Sequence, residues 1–146
     1  MTVLNIAIAL FVIMETANVI ILYFTPDSKL GNGVAIFNPW FKAKEDETSE
    51  LFARYMTNWV AGVKLIFIVL LVVILFAGNE VTKLFAVFAM ILSIATYYFR
   101  LHPIIKKLDS MGEITPRGYS KTLFVMITGF MLMFSMAAVI YFFLKA

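Results

Sequence analysis

Cysteine is absent from this chain, histidine occurs once, and charge is scarce. Without cysteine there is no disulfide, no thiolate metal site and no thioether-linked haem. One histidine excludes multi-histidine metal and haem centres. Asp, Glu, Lys and Arg together make up 14% of the residues, against roughly 25% in a soluble domain. Apolar side chains make up 62%, so the polar remainder cannot cover a globule in water. The net charge of +3 is small and resides in loops, which argues against nucleic-acid binding. No P-loop, Gly-x-Ser-x-Gly, His-Glu-x-x-His or dinucleotide fingerprint occurs. No internal repeat or low-complexity segment is visible. No cofactor or metal is expected.

What the chain does have is long apolar runs. Four are near the length of about 20 residues that a membrane span requires: residues 3–24, 55–77, 81–101 and 122–144. A spanning helix satisfies its own backbone groups. The expected fold is therefore an all-α integral membrane protein, a single transmembrane domain over 1–146 built as an antiparallel four-helix bundle. The first run has no basic stretch before it and no small-residue cleavage site, so it reads as a retained span.

Loop charge predicts orientation. Lys29, Lys42, Lys44 and Arg54 flank or fill residues 25–54, and Arg100, Lys106, Lys107, Arg117 and Lys121 do so for 102–121. The opposite side carries only Lys83 and Lys145. The positive-inside rule makes both loops cytoplasmic and both termini external, in a multi-pass protein of the cell's inner membrane. In the first loop, Thr25-Pro26-Asp27 ends the first span and Gly31-Asn32-Gly33 marks a turn. Asn38-Pro39 opens a cytoplasmic amphipathic helix over 39–54, separate from the second span or continuous with it, with Lys42/Asp46 and Glu50/Arg54 at i,i+4. An irregular acidic loop is the alternative. Phe37, Trp40 and Phe41 suit the headgroup level. In the second loop, Pro103 ends or kinks the third span, Met111-Gly112 breaks a short amphipathic turn, and Thr115-Pro116 or Ser120 caps the fourth span.

Two opposite charges fall inside apolar runs. Glu15 lies in the first and Lys64 in the second. A charge at a helix centre costs about 2.5–3.5 kcal/mol on the insertion scale, so such residues pair, face a cavity or perform a task. At 1.5 Å per residue, Glu15 and Lys64 both lie about 14–15 Å from the cytoplasmic ends of their helices. Those helices are consecutive and antiparallel, hence expected neighbours. Asn18 shares the face of Glu15, and Thr57 that of Lys64. Asn58 points elsewhere on the second span. On the third span Ser93, Thr96 and Tyr97 form a polar stripe with Ser93 near the midplane. The expected polar centre is Glu15, Asn18, Lys64, Thr57, Asn58 and Ser93, with span four as an apolar wall.

This centre has two readings. The functional one is a carrier or channel-like path for protons, ions or small polar solutes, with Glu15 titrating. The other is a static pair that sets helix register in a non-catalytic subunit or scaffold. A lipid-active enzyme ranks third, because it needs paired carboxylates. His102 beside Arg100 is a candidate pH sensor or an interfacial pair. The methionines of span four read as packing groups, having no cysteine or histidine partner. The expected partners are membrane lipids, a second copy of the chain, and a small polar solute or ion.

Overall fold

The computed structural model describes residues 2–30 and 33–145. Gly31 and Asn32 of the expected turn lie outside these. The described chain is helical: α1 Val3–Phe24, α2 Asn38–Ala43, α3 Glu47–Ala77, α4 Glu80–Arg100, α5 His102–Ser110 and α6 Tyr119–Lys145, with one turn of 3₁₀ helix at Val34–Ile36. Four helices are long and apolar enough to cross a membrane: α1, α3, the α4–α5 run and α6.

Local chemistry explains the boundaries. The segment expected as one helix over 39–54 is broken at Lys44–Asp46, and its second half is continuous with the second span. Asp46 adopts an extended conformation (φ −133°, ψ 125°) and accepts a hydrogen bond from Ser49 N at 2.9 Å, capping α3. Its carboxyl is held below the usual range by the Ser49 hydroxyl and then by that backbone N–H. At the other end of α3, Gly78 packs so closely on the preceding turn that a Cβ would sit 2.4 Å from Ile74 O. Asn79 then caps α4 by accepting from Thr82 N at 2.8 Å. Pro103 does not stop the third span, because it stands in the first turn of α5, where a missing N–H is harmless. The helix resumes after Leu101, and the Ile105 N–H reaches Leu101 O at 3.0 Å. Gly112 (φ +76°) ends this stretch in the left-handed region that glycine favours.

α1 is the central helix, packed on α3, α4 and α6. It runs antiparallel to α3: Asn18 meets Lys64 at one level, and Phe11 meets Phe67 nearer the termini. The main core joins Leu4, Ile8 and Phe11 to Leu71, Val87, Met90, Phe134 and Tyr141. Phe11 lies edge-on to Phe130 and Phe134, with ring centroids 5.2 and 5.3 Å away. A smaller core, Val19, Leu22, Ala61 and Ile68, fills the α1–α3 seam. Large apolar side chains also crowd the outer surface, where Phe24, Phe76, Phe99 and Phe143 are each more than three-quarters exposed. Such a surface suits hydrocarbon and not water.

The two inter-helix loops pair with each other. Asn38 N donates to Glu113 O at 2.9 Å and Thr115 N to Ile36 O at 2.8 Å, a short antiparallel bridge at Phe37 and Ile114. Lys42 forms an ion pair with Glu113. Beneath this lid a third core holds Ile36, Tyr97, Ile105, Ile114, Tyr119 and Leu123. The cap of α6 also comes from a distance. The Asp109 carboxylate accepts from Gly118 N at 2.9 Å, from Ser120 N at 3.1 Å and from the Ser120 hydroxyl. These bonds, Ser120's first, hold the Asp109 carboxyl below its usual range.

Candidate functional site: an ion pair inside the bundle

Glu15 and Asn18 are three residues apart on α1, so both face α3. Lys64 reaches them from α3. Its Nζ donates to Glu15 Oε2 at 2.9 Å and to Asn18 Oδ1 at 2.6 Å. One ammonium thus ties two polar positions one turn apart on α1 and fixes both the rotation and the register of the α1–α3 pair. Ala61, fully buried three residues before Lys64, lets the backbones approach closely enough for this reach.

The triad is not sealed. Asn18 is 8% exposed, but the side chains of Lys64 and Glu15 keep 28% and 20% of their surface. Part of the opening is a cleft of about 140 Å³ between α1 and α6. Met14, Ala17 and Ile21 line it from α1, and Leu123, Met126, Ile127 and Phe130 from α6. Its polar lining comes from Glu15 and Asn18. Toward the termini the lining residue Phe130 meets Phe11, one turn from Glu15, edge to face, and Phe11 in turn meets Phe134 edge to face.

The other residues expected in the polar centre stand elsewhere. Thr57 is buried, but its hydroxyl donates to Ala53 O of its own helix at 2.9 Å. Thr57 and exposed Asn58 line a different pocket, at the loop end of α1 and α3. Ser93 is exposed, and its backbone carbonyl accepts from the Thr96 hydroxyl at 2.6 Å. The inward stripe of α4 runs Lys83, Val87, Met90, Ile94 and Tyr97. Ser93 falls one residue, about 100°, to its side. The centre is built from two helices and not three. His102 and Arg100 also diverge. His102 Nδ1 lies 3.3 Å from the Tyr97 hydroxyl, with its ring 5.0 Å from that of Phe124, while Arg100 is exposed.

A second polar cluster at the opposite end escaped sequence reasoning. Lys83 is buried, 3.7 Å from Glu80 on the same helix. Thr2 Oγ1 stands 3.5 Å from Glu80 Oε1. Asn5 Oδ1 and Glu80 Oε2 are buried with no hydrogen-bond partner among the described residues. Two signals in the chain point here: Lys83 at i+3 from Glu80, and Asn5 early in the first span. Asn5 and Glu15 are ten residue steps apart on α1, about 15 Å, and the inward side chains between them, Ile8 and Phe11, belong to the apolar core. Polar groups therefore flank an apolar plug.

Among the described residues, no group of three or more His, Cys, Asp or Glu side chains could hold a metal ion. Comparison with known proteins brings no relative to bear: no family model, no curated protein and no solved structure matches the chain.

Proposed function

We propose that this membrane protein is a carrier for protons or a small polar solute, with Glu15 as the loading group and Lys64 as its counter-ion. The observation that supports this is the α1–α6 cleft, which leaves the Glu15 carboxylate and the Asn18 amide reachable beside the ion pair. A solute that donates hydrogen bonds, or a proton, competes with Lys64 for Glu15. Freed from Glu15, Lys64 keeps Asn18 as a partner, so the exchange does not strand a bare ammonium. The Phe11–Phe130–Phe134 plug favours a carrier over an open pore, because delivery to the far side requires α1 or α6 to move. In this reading the loops and their basic residues face the cytoplasm of an inner-membrane protein, both termini lie outside, and copies of the chain associate to complete the path. Proteoliposomes with an entrapped pH-sensitive dye test it. Wild-type protein is expected to dissipate an imposed pH gradient, and Glu15→Gln to abolish the flux. Flux equal to that of the wild type in both Glu15→Gln and Lys64→Met removes this centre from any transport role.

The second reading, a static pair in a scaffold or non-catalytic subunit, draws on the two short bonds that Lys64 makes. A lipid-active enzyme with paired carboxylates gains no support, since the cleft and the loop-end pocket hold one carboxylate each, Glu15 and Asp27.

A further inference from the structure

The loop-end pocket between α1 and α3 has a volume of about 140 Å³ and is lined by Tyr23, Asp27, Trp40, Lys44, Arg54 and Asn58, among others. We propose that it binds the phosphate of a membrane phospholipid. The depth is right. α1 ends at Phe24, so the pocket sits where a spanning helix leaves hydrocarbon. Phe24, Tyr55 and Trp59 are exposed beside it and offer a surface for acyl chains and glycerol, the usual place of an aromatic belt.

The charges are arranged for an anion. Asp27 uses one oxygen, Oδ1, to accept from Trp40 Nε1 at 2.7 Å and from Lys44 Nζ at 2.6 Å. Those bonds, Lys44's first, hold its carboxyl below the usual range. The Lys44 ammonium also stands 5.4 Å from the centre of the Trp40 ring, so Asp27 and Trp40 fix its position. One bond to Asp27 leaves the other ammonium protons to a ligand. Arg54 spends Nε and one terminal nitrogen on a single oxygen of Glu50, at 3.0 and 2.8 Å, leaving its second terminal nitrogen to donate. Each cation is tied to a single carboxylate oxygen, Lys44 to Asp27 and Arg54 to Glu50, and each keeps N–H groups with which to donate to a phosphodiester. The exposed Asn58 amide adds a neutral donor one turn further along α3. Basic pockets at the cytoplasmic headgroup level are the usual seat of anionic lipid. This site needs only the membrane placement of the bundle and is independent of any solute carried at Glu15.

The full chain carries two tryptophans, and Trp59→Phe leaves Trp40 as the only fluorophore of its kind, inside the pocket. In detergent micelles, phosphatidylglycerol brominated on its acyl chains is expected to quench Trp40 saturably. The half-quenching mole fraction should be on the order of tenfold below that of brominated diacylglycerol, which lacks the phosphate. Lys44→Gln with Arg54→Gln is expected to remove that difference, and Lys44→Arg with Arg54→Lys to retain it. Circular dichroism melts confirm that each variant is folded. Equal quenching by the two lipids overturns the proposal. So does a Lys106→Gln/Lys107→Gln variant that weakens quenching as much as the pocket variant, since the attraction would then be diffuse. Loss of quenching on adding inorganic phosphate also overturns it, assigning the pocket to a soluble anion.

Discussion

Lys64→Met is the most informative perturbation of the bundle. It leaves the Glu15 carboxylate beside Asn18 with no cation, and the insertion scale puts the ceiling for an unpaired charge near 3 kcal/mol. Both side chains keep about a quarter of their surface, which lowers the expected loss to about 2 kcal/mol. Glu15→Met strands the Lys64 ammonium on Asn18 alone, with a similar expected loss of about 2 kcal/mol. The double variant removes both charges together. What it then lacks is the 2.6 Å bond from Lys64 to Asn18, worth about 1 kcal/mol. The sum of the single losses exceeds the double loss by about 3 kcal/mol, the coupling energy of the pair. Reversible unfolding in mixed micelles, with the fraction of denaturing detergent as the variable, reads all four proteins. A coupling below about 0.5 kcal/mol, within the additivity of independent sites, refutes the claim that the two charges sustain each other.

Two further outcomes follow from the packing and the caps. Ala61→Leu inserts bulk at a fully buried position of the α1–α3 seam; about 1–3 kcal/mol of stability should be lost, and flux should fall with it as the triad is pried apart. Asp109→Ala strips the start of α6 of its acceptor and should cost about 1 kcal/mol near neutral pH. Because the folded pKa of Asp109 is lowered, its stabilisation is complete above the unfolded value of about 3.9 and fades as pH falls through the lower folded value. Thermal melts of wild type and variant should therefore begin to converge as pH falls below about 4 and meet only below the folded pKa.

The pair was legible in the sequence because membrane helices obey a simple ruler. Rise per residue places Glu15 and Lys64 at one depth, and a charge in hydrocarbon needs a partner. Rotation has no such ruler. Ser93 shares the depth of the pair, but the packing of Val87, Met90 and Tyr97 turns it outward. Lys83 reads as a flanking charge in the sequence, and only the packing of α4 against its neighbouring helices buries it. Asp109 caps α6 from α5, and residues 36–38 pair with 112–115 across 70 and more positions of chain; no local pattern encodes contacts at that separation.

The sequence by itself determined the number of spanning helices, most of their limits, and the two charges that must meet inside them. These follow from local quantities: apolar length, rise, and the cost of an unpaired charge. Asn18, on the face of Glu15, is expected beside the pair and bonds Lys64 there; only the tertiary structure decided that Thr57, Asn58 and Ser93 do not join it. It also decided that a cleft on α6 opens the pair to one side while an aromatic plug adjoins it toward the termini. Those features depend on helix rotation and side-chain shape, which are set when four apolar surfaces choose their mutual packing.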